Sequence, residues 1–350
     1  MLDFFDKLVA GFSPDLGLDL GTSYVGMLEC NRGKWREPAC LAYEGTPRQL
    51  LTLGEKAKII EGRCEETCKI VHPITNGFIY DYDGVLELIR LCFAKCTRLG
   101  LLGPRVMVAV PVGSSETDWQ VYTDLCKAAG ARSVFVVPSI LASAMGAGLD
   151  VSGSKTCFVL DIGAGVSQAA MICMGGIVAA DCVPIAGDSF DESIINYCRQ
   201  EKDLIVGKES AERLKTSGGC AWTDKAEEEF VVKGRDLKSG LPRAIKLTSG
   251  ELCNILSSDL QIIVNMLERL LQITPPSFVA DVAENGLWLC GGGSLLKGLE
   301  QFLAYKLSLL CVKVAEPKLC SLNGLEKMFY NPKIMYTISS DSLNRAVSSF

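Results

Sequence analysis

Three glycine-containing turns lie far apart in this chain, at residues 19–23, 161–165 and 291–294, and each follows a short apolar run. Glycine permits tight turns and lets backbone N–H groups come close to a ligand. One such turn is a common strand-to-loop junction. Three of them, two of which begin with an aspartate after a strand-like run, predict one nucleotide held between two similar halves of the molecule.

The amino-acid composition indicates a globular protein that is long enough for two domains. The chain has 350 residues, of which 48% are hydrophobic, and its formal net charge is −6. A chain of this size can bury one or two sizeable cores. No sustained run of lysine or arginine offsets the negative charge, so the sequence argues against a nucleic-acid partner.

Cysteine is frequent, with 16 residues that sit in apolar runs. The sequence shows no signal-peptide pattern, so we expect reduced thiols that serve as small core residues in a cytoplasmic protein. The pairs Cys64/Cys68 and Cys92/Cys96 have the spacing of one helix face, but His72 is the one histidine of the chain. This ligand set is incomplete for zinc, and we expect no zinc site.

The first residues show an amphipathic helical pattern. Its apolar positions are Leu2, Phe4, Phe5, Leu8, Val9 and Phe12. No apolar run reaches the roughly 20 residues that a membrane-spanning helix needs, but a short amphipathic helix can lie in a bilayer surface. Asp3 and Asp6 weaken this interpretation, and the segment alone equally allows a helix that packs on its own domain.

Alternating strand and helix patterns predict an α/β fold. In the first half, strand-like runs at residues 16–20, 106–110 and 134–137 alternate with helical patterns at residues 82–96 and 115–129. Such alternation is typical of parallel strands joined by crossover helices. The second half repeats this order. Its patterns are a strand at 157–161, a hairpin over 167–173 and 176–182, helices at 188–201, 208–216 and 252–271, a strand at 287–290 and a helix at 295–309. We therefore expect a duplication of fold without a duplication of sequence.

The aspartates that begin the first two turns suit a divalent cation. Asp19 and Asp161 each follow a strand and would face a common cleft. Carboxylates combined with water molecules are favourable ligands for Mg²⁺ beside phosphates. Thr22 and Ser23 offer N–H and hydroxyl donors to phosphate oxygens. The third turn has no acid, and the glycines at residues 291–293 would let a base or a ribose come close.

These turns and several segments between them resemble the actin-type ATPase superfamily, and within it the MreB family of bacterial actins. The resemblance runs from about residue 15 to about residue 324. The segments that carry it are residues 18–22, 76–83, 110–116, 185–192, 210–215, 240–242, 274–276 and 291–299. That many matches in the same order make the resemblance highly specific.

This resemblance implies an actin-like fold with two lobes, each built on a ribonuclease H-like sheet flanked by helices, and a nucleotide cleft between them. Residues 1–14 would form the amphipathic segment, and residues 337–350 a tail. The large and small subdomains of lobe I would comprise residues 15–36, 76–150 and 319–336, and residues 37–75, respectively. Those of lobe II would comprise residues 151–186 and 250–318, and residues 187–249.

The resemblance also implies a site for ATP or GTP with Mg²⁺. Asp19 and Asp161 would organise the metal ion through water. Residues that would hold the phosphates are Gly21, Thr22, Ser23, Gly163, Ala164 and Gly165. Residues that would surround the adenosine are Glu212, Lys215, Gly291, Gly292, Gly293 and Ser294.

Members of this family assemble head to tail into filaments, a contact that does not close on itself. They also bind the inner face of the cytoplasmic membrane. The resemblance therefore favours the N-terminal segment as an anchor and adds Leu101 and Leu102 as a second apolar contact. The implied partners are further copies of the chain, the membrane, and cell-wall elongation proteins of the MreC and RodZ type.

Two departures from the family pattern weaken the expected hydrolysis. Ser139 occupies the position of the acid that orients the attacking water, and a serine hydroxyl cannot take a proton from water at neutral pH. In the middle turn, Ala164, Val166 and Gln168 stand where the family has Gly, Thr and Glu. Losses of this kind typically lower the rate by about two or more orders of magnitude.

We therefore predict an MreB-like protein that binds ATP, forms membrane-associated filaments and organises cell-wall synthesis and cell shape, with weakened hydrolysis. Glu116 and Asp118 are acids near the cleft that would compensate if they reached the phosphates. Two other classes stay open. One is a non-polymerising or non-hydrolysing paralogue that scaffolds or modulates filaments, and the other is a sugar-kinase-type phosphotransferase, for which no substrate-pocket signature is present.

Overall fold

Two five-stranded sheets with the same strand order form the framework of the protein. The computed structural model describes residues 13–45, 49–62, 68–96, 103–222 and 227–331. Its strands are β1 (Asp15–Leu20), β2 (Tyr24–Glu29), β3 (Gly33–Pro38), β4 (Leu41–Glu44), β5 (Gln49–Leu53), β6 (Cys68–Val71), β7 (Ile74–Thr75), β8 (Phe78–Ile79), β9 (Arg105–Val110), β10 (Ser133–Pro138), β11 (Cys157–Ile162), β12 (Ser167–Cys173), β13 (Gly176–Val183), β14 (Leu204–Ile205), β15 (Glu229–Asp236), β16 (Pro242–Thr248), β17 (Leu287–Cys290) and β18 (Cys311–Lys313). Its α-helices are α1 (Glu55–Ile60), α2 (Tyr82–Ala94), α3 (Glu116–Ala128), α4 (Ser139–Gly146), α5 (Gly187–Glu201), α6 (Lys208–Gly218), α7 (Ser249–Ile273), α8 (Pro276–Asn285), α9 (Leu299–Leu307) and α10 (Cys320–Tyr330).

The two large sheets confirm the predicted duplication of fold. The first has the order β3-β2-β1-β9-β10 and the second the order β13-β12-β11-β17-β18. In each, three strands form an antiparallel meander and the last two run parallel to the central strand. The parallel strands are the apolar runs seen in the sequence, because strands covered on both faces alternate little between apolar and polar residues. Smaller sheets β5-β4-β6 and β14-β15-β16 extend from the two halves.

A layer of buried side chains lies between the two large sheets. It joins Met107 of β9 and Val159 of β11 to Leu141 on α4 and Leu325 on α10. Helices α4 and α10 thus lie between the sheets and contact both. Other groups of buried side chains lie outside this layer, one in the first half and one in the second.

Helices α4 and α10 approach each other so closely that glycine is required at two positions. A Cβ on Gly146 would overlap the carbonyl oxygen of Cys320, and a Cβ on Gly324 would overlap that of Ala142. These neighbours are backbone atoms, which cannot move aside as a flexible side chain can. The contact therefore depends on the absence of both side chains.

Polar groups at the end of α4 are satisfied by the same neighbours. The ammonium group of Lys327 on α10 donates to the carbonyl of Met145 (N···O 2.7 Å). Carbonyls in the last turn of a helix have no partner inside the helix and interact favourably with a cation. Lys327 therefore strengthens the contact that the two glycines make possible.

One long helix begins earlier than its sequence pattern predicts. The pattern indicates residues 252–271, whereas α7 begins at Ser249 after a capping box between Thr248 and Glu251. The Thr248 hydroxyl accepts from the Glu251 N–H (3.2 Å), and the Glu251 carboxylate accepts from the Thr248 N–H (2.9 Å). Pro276 then begins α8, because proline is well tolerated in the first turn of a helix.

The helix predicted for residues 295–309 is wrong at its start. A short 3₁₀ helix covers Gly292–Leu295, and α9 begins only at Leu299. Gly298 separates them with a left-handed φ of 72° and packs against Trp222. This turn, which favours glycine, interrupts an otherwise continuous helical pattern.

Several predictions concern residues outside the described ranges. These are the amphipathic segment with Leu2, Phe4, Phe5, Leu8, Val9 and Phe12, the apolar loop with Leu101 and Leu102, and the C-terminal tail. Within the described ranges, no helix combines the length and apolar character needed to cross a membrane. Every cysteine in these ranges is a free thiol, and most are buried, as expected for small core residues.

Replacing Gly324 by alanine should destabilise the protein. Alanine in place of glycine inside a helix normally stabilises by about 0.5–1 kcal/mol, but here the methyl group would overlap the Ala142 carbonyl. We expect the free energy of unfolding to fall by about 2–3 kcal/mol, as measured by chemical denaturation.

Gly207→Ala is the matched control, since a Cβ there meets nothing within 4 Å and φ is −77°. It should change the stability by less than about 1 kcal/mol. A Gly324→Ala protein as stable as the wild type would show that α4 and α10 do not pack as described.

Candidate functional site

The three glycine turns converge on one cavity of about 530 Å³. The predicted site residues that line it are Asp19, Gly21, Thr22, Ser23, Ser139, Asp161, Gly163, Ala164, Gly165, Glu212, Lys215, Gly291, Gly292 and Gly293. Two other predicted residues, Glu116 and Ser294, do not line it. Turns that are far apart in the sequence thus share one site at the ends of β1, β11 and β17.

The turn after β1 leaves several donors available to a ligand. The Gly21 N–H donates to the Tyr24 carbonyl (3.0 Å), and a Cβ on Gly21 would lie 2.8 Å from that oxygen, so the turn requires glycine. The Thr22 hydroxyl oxygen accepts from the Gly77 N–H (2.9 Å), which leaves the hydroxyl hydrogen free to donate. The N–H groups of Thr22 and Ser23 make no backbone hydrogen bond within the described residues.

The turn after β11 is tied to the start of α5. The N–H groups of Gly187 and Asp188 donate to the carbonyls of Gly163 (3.2 Å) and Ala164 (2.7 Å). The Gly163 N–H is also occupied, because it donates to the Val166 carbonyl (3.0 Å). Among the predicted phosphate donors of this turn, the N–H groups of Ala164 and Gly165 are therefore the ones available to a ligand.

The first and middle turns touch each other. A Cβ on Gly165 would lie 2.8 Å from the Cα of Asn76 and closer still to the Thr22 hydroxyl. Gly77 has a left-handed φ of 81°, and a Cβ there would lie 2.8 Å from Cγ1 of Val166. The two halves of the molecule thus meet at this end of the cavity, with no space for an added side chain.

The third turn requires its glycines mainly for a reason that sequence patterns do not show. A Cβ on Gly291 would overlap Asp161, and a Cβ on Gly293 would overlap Ile162, so both glycines serve packing against the end of β11. Only Gly292 is open, since its one neighbour is the side chain of Lys318 at 3.9 Å. Ser294 is buried and donates to the Gly291 carbonyl (2.8 Å), which closes the turn.

The electrostatics of the cavity favour a cation. Burial raises the pKa of Asp161 to about 6, opposed by a hydrogen bond from the Ser143 hydroxyl (2.5 Å) and reinforced by the charge of Asp19. Burial also raises the pKa of Asp19, opposed by the charge of Arg36. Two carboxylates that face one cavity repel each other, and a bound cation would relieve this repulsion.

These two aspartates fit Mg²⁺ that retains water ligands. Among the residues that the structure describes, no group of three or more His, Cys, Asp or Glu side chains could enclose a metal ion. Mg²⁺ commonly keeps several waters and uses one or two carboxylates together with phosphate oxygens. Asp19 and Asp161 supply that number of carboxylates.

A neutral hydrogen-bonded pair occupies the position where the family pattern has acids. The side-chain amide of Gln168 donates to the Ser139 hydroxyl oxygen (2.6 Å), and its carbonyl oxygen accepts from the Val112 N–H (3.1 Å). Ser139 and Gln168 are both buried and line the cavity. Neither side chain accepts a proton at neutral pH.

The acids considered as substitutes lie elsewhere. Glu116 is the first residue of α3. Asp118 is engaged in a capping box, in which its carboxylate accepts from the Ser115 N–H (2.8 Å) and its own N–H donates to the Ser115 hydroxyl (3.2 Å). The structure brings neither acid to the cavity wall.

Lys215 is held by partners inside the protein. Its ammonium group lies 2.7 Å from a carboxylate oxygen of Asp191 and donates to the Gly187 carbonyl (2.8 Å). Asp191 is buried. Lys215 and Glu212 both line the cavity on the side of α6, and the ion pair with Asp191 already neutralises the Lys215 charge.

Sequence reasoning missed several polar residues that line the cavity, among them Arg36, Lys318 and Ser321. Arg36 lies on β3, and Lys318 and Ser321 flank the start of α10. None belongs to a glycine turn, and no short motif marks them. Only the meeting of β3 and α10 at the cavity reveals them.

The comparisons with known proteins agree with this architecture. The MreB/Mbl protein family matches residues 13–336. The cell shape-determining protein MreB of Escherichia coli (strain K12) is 33% identical over 320 residues, which cover 89% of this chain and 92% of the relative. The cell shape-determining protein Mbl of Bacillus subtilis (strain 168) is 31% identical over 322 residues, with coverages of 91% and 97%.

Solved structures give the same result. MreB5 of Spiroplasma citri bound to ADP has a TM-score of 0.87 and 28% identity, covering 93% of this chain and 98% of its own. The AMPPNP-bound structure of the same protein also has a TM-score of 0.87, with coverages of 94% and 98%. The MamK double helical filament, with a TM-score of 0.77 and 18% identity, shares the fold.

Replacing Asp161 by asparagine should stabilise the ligand-free protein above pH 6. An acid whose pKa is higher in the folded state binds more protons there, so its contribution to stability is lost as the pH rises through about 6. Without nucleotide and with a chelator present, Asp161→Asn should raise the free energy of unfolding at pH 7.5 by about 1–2 kcal/mol. At pH 4.5 the difference should be small.

Asp281→Asn is the control with the opposite sign. The Asp281 carboxylate accepts hydrogen bonds from the Thr156 N–H (2.9 Å) and hydroxyl (3.0 Å), which lower its pKa. Its contribution is present above the unfolded pKa and is lost as the pH falls, so this variant should be less stable at neutral pH. Chemical denaturation from pH 4.5 to 7.5 measures both variants. The deficit of Asp281→Asn should be the same across this range, because the Asp281 pKa lies below it. A pH-independent effect of Asp161→Asn would contradict the assignment.

Proposed function

The chain belongs to the MreB/Mbl family and has its actin-like fold, and from this premise we propose that it binds ATP with Mg²⁺ between its two halves, forms filaments at the membrane and hydrolyses ATP slowly or not at all. The observation that carries this proposal is the single cavity in which three glycine turns meet the neutral Ser139–Gln168 pair. The turns support binding, and the pair accounts for weak turnover.

Nucleotide binding is supported by the donors that remain on the two facing turns. Thr22 and Ser23 offer N–H groups from one side, and Ala164 and Gly165 offer them from the other. Oriented backbone N–H groups form anion-binding concavities of the kind that hold phosphates. The solved structures of MreB5 from Spiroplasma citri are bound to ADP and AMPPNP, which supports a nucleotide as the ligand.

Asp19 and Asp161 would hold Mg²⁺ through water molecules. When bound there, Mg²⁺ would supply positive charge that offsets the negative charge of the phosphates. The residues of the chain set its position, because the Ser143 hydroxyl orients the carboxylate of Asp161. Gly291 allows that carboxylate to pack against the third turn.

Weak hydrolysis follows from the hydrogen bonds of Ser139 and Gln168. A general base must accept a proton from the attacking water. The Ser139 oxygen already accepts from Gln168, and the Gln168 oxygen already accepts from Val112. This pair can orient a water molecule but cannot remove its proton.

Membrane association and filament formation rest on the family and on the amphipathic N-terminal sequence. The apolar positions Leu2, Phe4, Phe5, Leu8, Val9 and Phe12 would insert into the inner face of the cytoplasmic membrane, with Leu101 and Leu102 as a second contact. Filaments placed there would organise cell-wall synthesis together with partners of the MreC and RodZ type. The relatives are cell shape-determining proteins, which supports this role.

A scaffold that modulates filaments without forming them is the second candidate. The same neutral pair favours it, since a protein that has lost its hydrolytic acid need not cycle with a nucleotide. Filament formation by the purified chain separates the two candidates.

Restoring the acid should raise ATP hydrolysis. Phosphate release should be at least about tenfold slower than that of Escherichia coli MreB assayed in parallel, and Ser139→Glu should increase it by about tenfold or more because it supplies a proton acceptor. Ser139→Gln has a similar size without the charge and should leave the rate unchanged. Wild-type turnover equal to that of the comparison protein would refute weak hydrolysis.

Filaments should form without hydrolysis. We expect the full chain to sediment with ATP or AMPPNP on lipid vesicles and to appear as filaments by electron microscopy. Replacing Phe4 and Phe5 by serine should reduce vesicle binding several-fold, because it removes apolar area from the inserted face. A chain that binds ATP but stays monomeric in every condition would support the scaffold instead.

A further inference from the structure

The cavity lacks the positive charge that a triphosphate needs unless residues outside the glycine turns supply it. Its acidic lining residues are Asp19, Asp161, Asp188 and Glu212. Its cationic lining residues are Arg36, Lys215 and Lys318. A nucleotide triphosphate adds several negative charges, only part of which Mg²⁺ offsets. Lysine or arginine side chains that are not already in ion pairs would therefore strongly raise the affinity for the triphosphate.

Two of the three cations are available. Lys215 is paired with Asp191 at 2.7 Å. Arg36 and Lys318 form no ion pair with any residue in the described part of the chain. The guanidinium of Arg36 lies 4.5 Å from the ring centroid of Tyr24, another lining residue, so stacking restrains it near Asp19 without neutralising it.

The start of α10 places further donors beside Lys318. The stem of Lys318 passes 3.9 Å from the position of a Cβ on Gly292, the open glycine of the third turn. Ser321 lies three residues further on and also lines the cavity. It is only 8% exposed. Its hydroxyl faces the Asp19 carboxylate, whose pKa it lowers, but it makes no hydrogen bond at normal distance within the described residues. A buried hydroxyl without a partner is unfavourable in the free protein and becomes favourable when a ligand accepts its hydrogen bond.

We propose that Arg36, Lys318 and Ser321 form a third phosphate-binding element at the N-terminus of α10, here called the α10 clasp. The helix adds the positive end of its dipole and its first N–H groups, which attract anions. The α10 clasp lines the same cavity as the two glycine turns and replaces the hydroxyl donor that the middle turn lacks at Val166. This assignment rests on the proposed function, because it names residues that hold the phosphates of the same nucleotide.

Nucleotide binding by the full chain tests the α10 clasp. Dissociation constants are measured by calorimetry for ATP, ADP and adenosine, with the protein kept below its assembly concentration. Lys318→Met keeps the apolar stem and removes the charge. It should weaken ATP about tenfold, ADP about threefold and adenosine less than twofold. Arg36→Gln should show the same order of effects.

Ser321→Ala distinguishes a ligand role from a structural one. It removes a hydroxyl that makes no hydrogen bond at normal distance and acts only on the pKa of Asp19, so stability should change little, while ATP binding weakens about threefold. Lys313→Met is the matched control, because Lys313 pairs with Glu300 (3.4 Å) away from the cavity. It should leave all three affinities unchanged.

The outcomes separate this inference from the proposed function. Equal losses for ATP and adenosine, or no loss in any of the three variants, would overturn the α10 clasp while ATP binding by the wild type still stands. If the wild type binds no ATP, the proposed function fails. In that case, thermal unfolding with inorganic phosphate tests the α10 clasp separately. The clasp requires that phosphate raise the melting temperature of the wild type but not that of Lys318→Met.

Discussion

The direct contact between α4 and α10 is the constraint on which the rest of the site depends. Gly146 and Gly324 bring the two helix backbones together between the large sheets. One helix begins with Ser139 and carries Ser143, and the other begins beside Ser321. The proposed hydrolytic position, the support of the carboxylate proposed to bind Mg²⁺ and the proposed α10 clasp are therefore all positioned by the same pair of helices. Small changes in this contact would move all three together.

Negative charge inside the cavity would affect nucleotide binding and ATP hydrolysis in opposite ways. Burial raises the pKa of Asp19 and of Asp161, and the two carboxylates repel each other, so a bound cation would relieve this repulsion. Acids at positions 139 and 168 would add to this negative charge. The hydrogen bond between Ser139 and Gln168 removes that charge together with the proton acceptor. Under the proposed function, Ser139 and Gln168 would thus ease the binding of an anion and impair its hydrolysis.

The large sheets and the three turns were predictable because both depend on local patterns. Apolar runs followed by glycine mark the ends of β1 and β11, and such runs are visible in the sequence without knowledge of the fold. The remaining features depend on contacts between distant segments. The partner of Ser139 is 29 residues away, and the need for glycine at Gly291 comes from Asp161 on another strand. Lys318 and Arg36 belong to no motif, so only the folded chain shows that they share a cavity.

The neutral pair at Ser139 and Gln168 has a consequence for the lifetime of an assembly. In a filament whose subunits hydrolyse ATP after they join, older subunits would hold ADP and younger ones ATP, so the bound nucleotide would report the age of each subunit. A site without a proton acceptor would hydrolyse its nucleotide very slowly, and subunits would keep the nucleotide with which they joined. Old and new subunits of such a filament would then hold the same nucleotide. Its disassembly would have to be triggered by partner proteins or by the membrane.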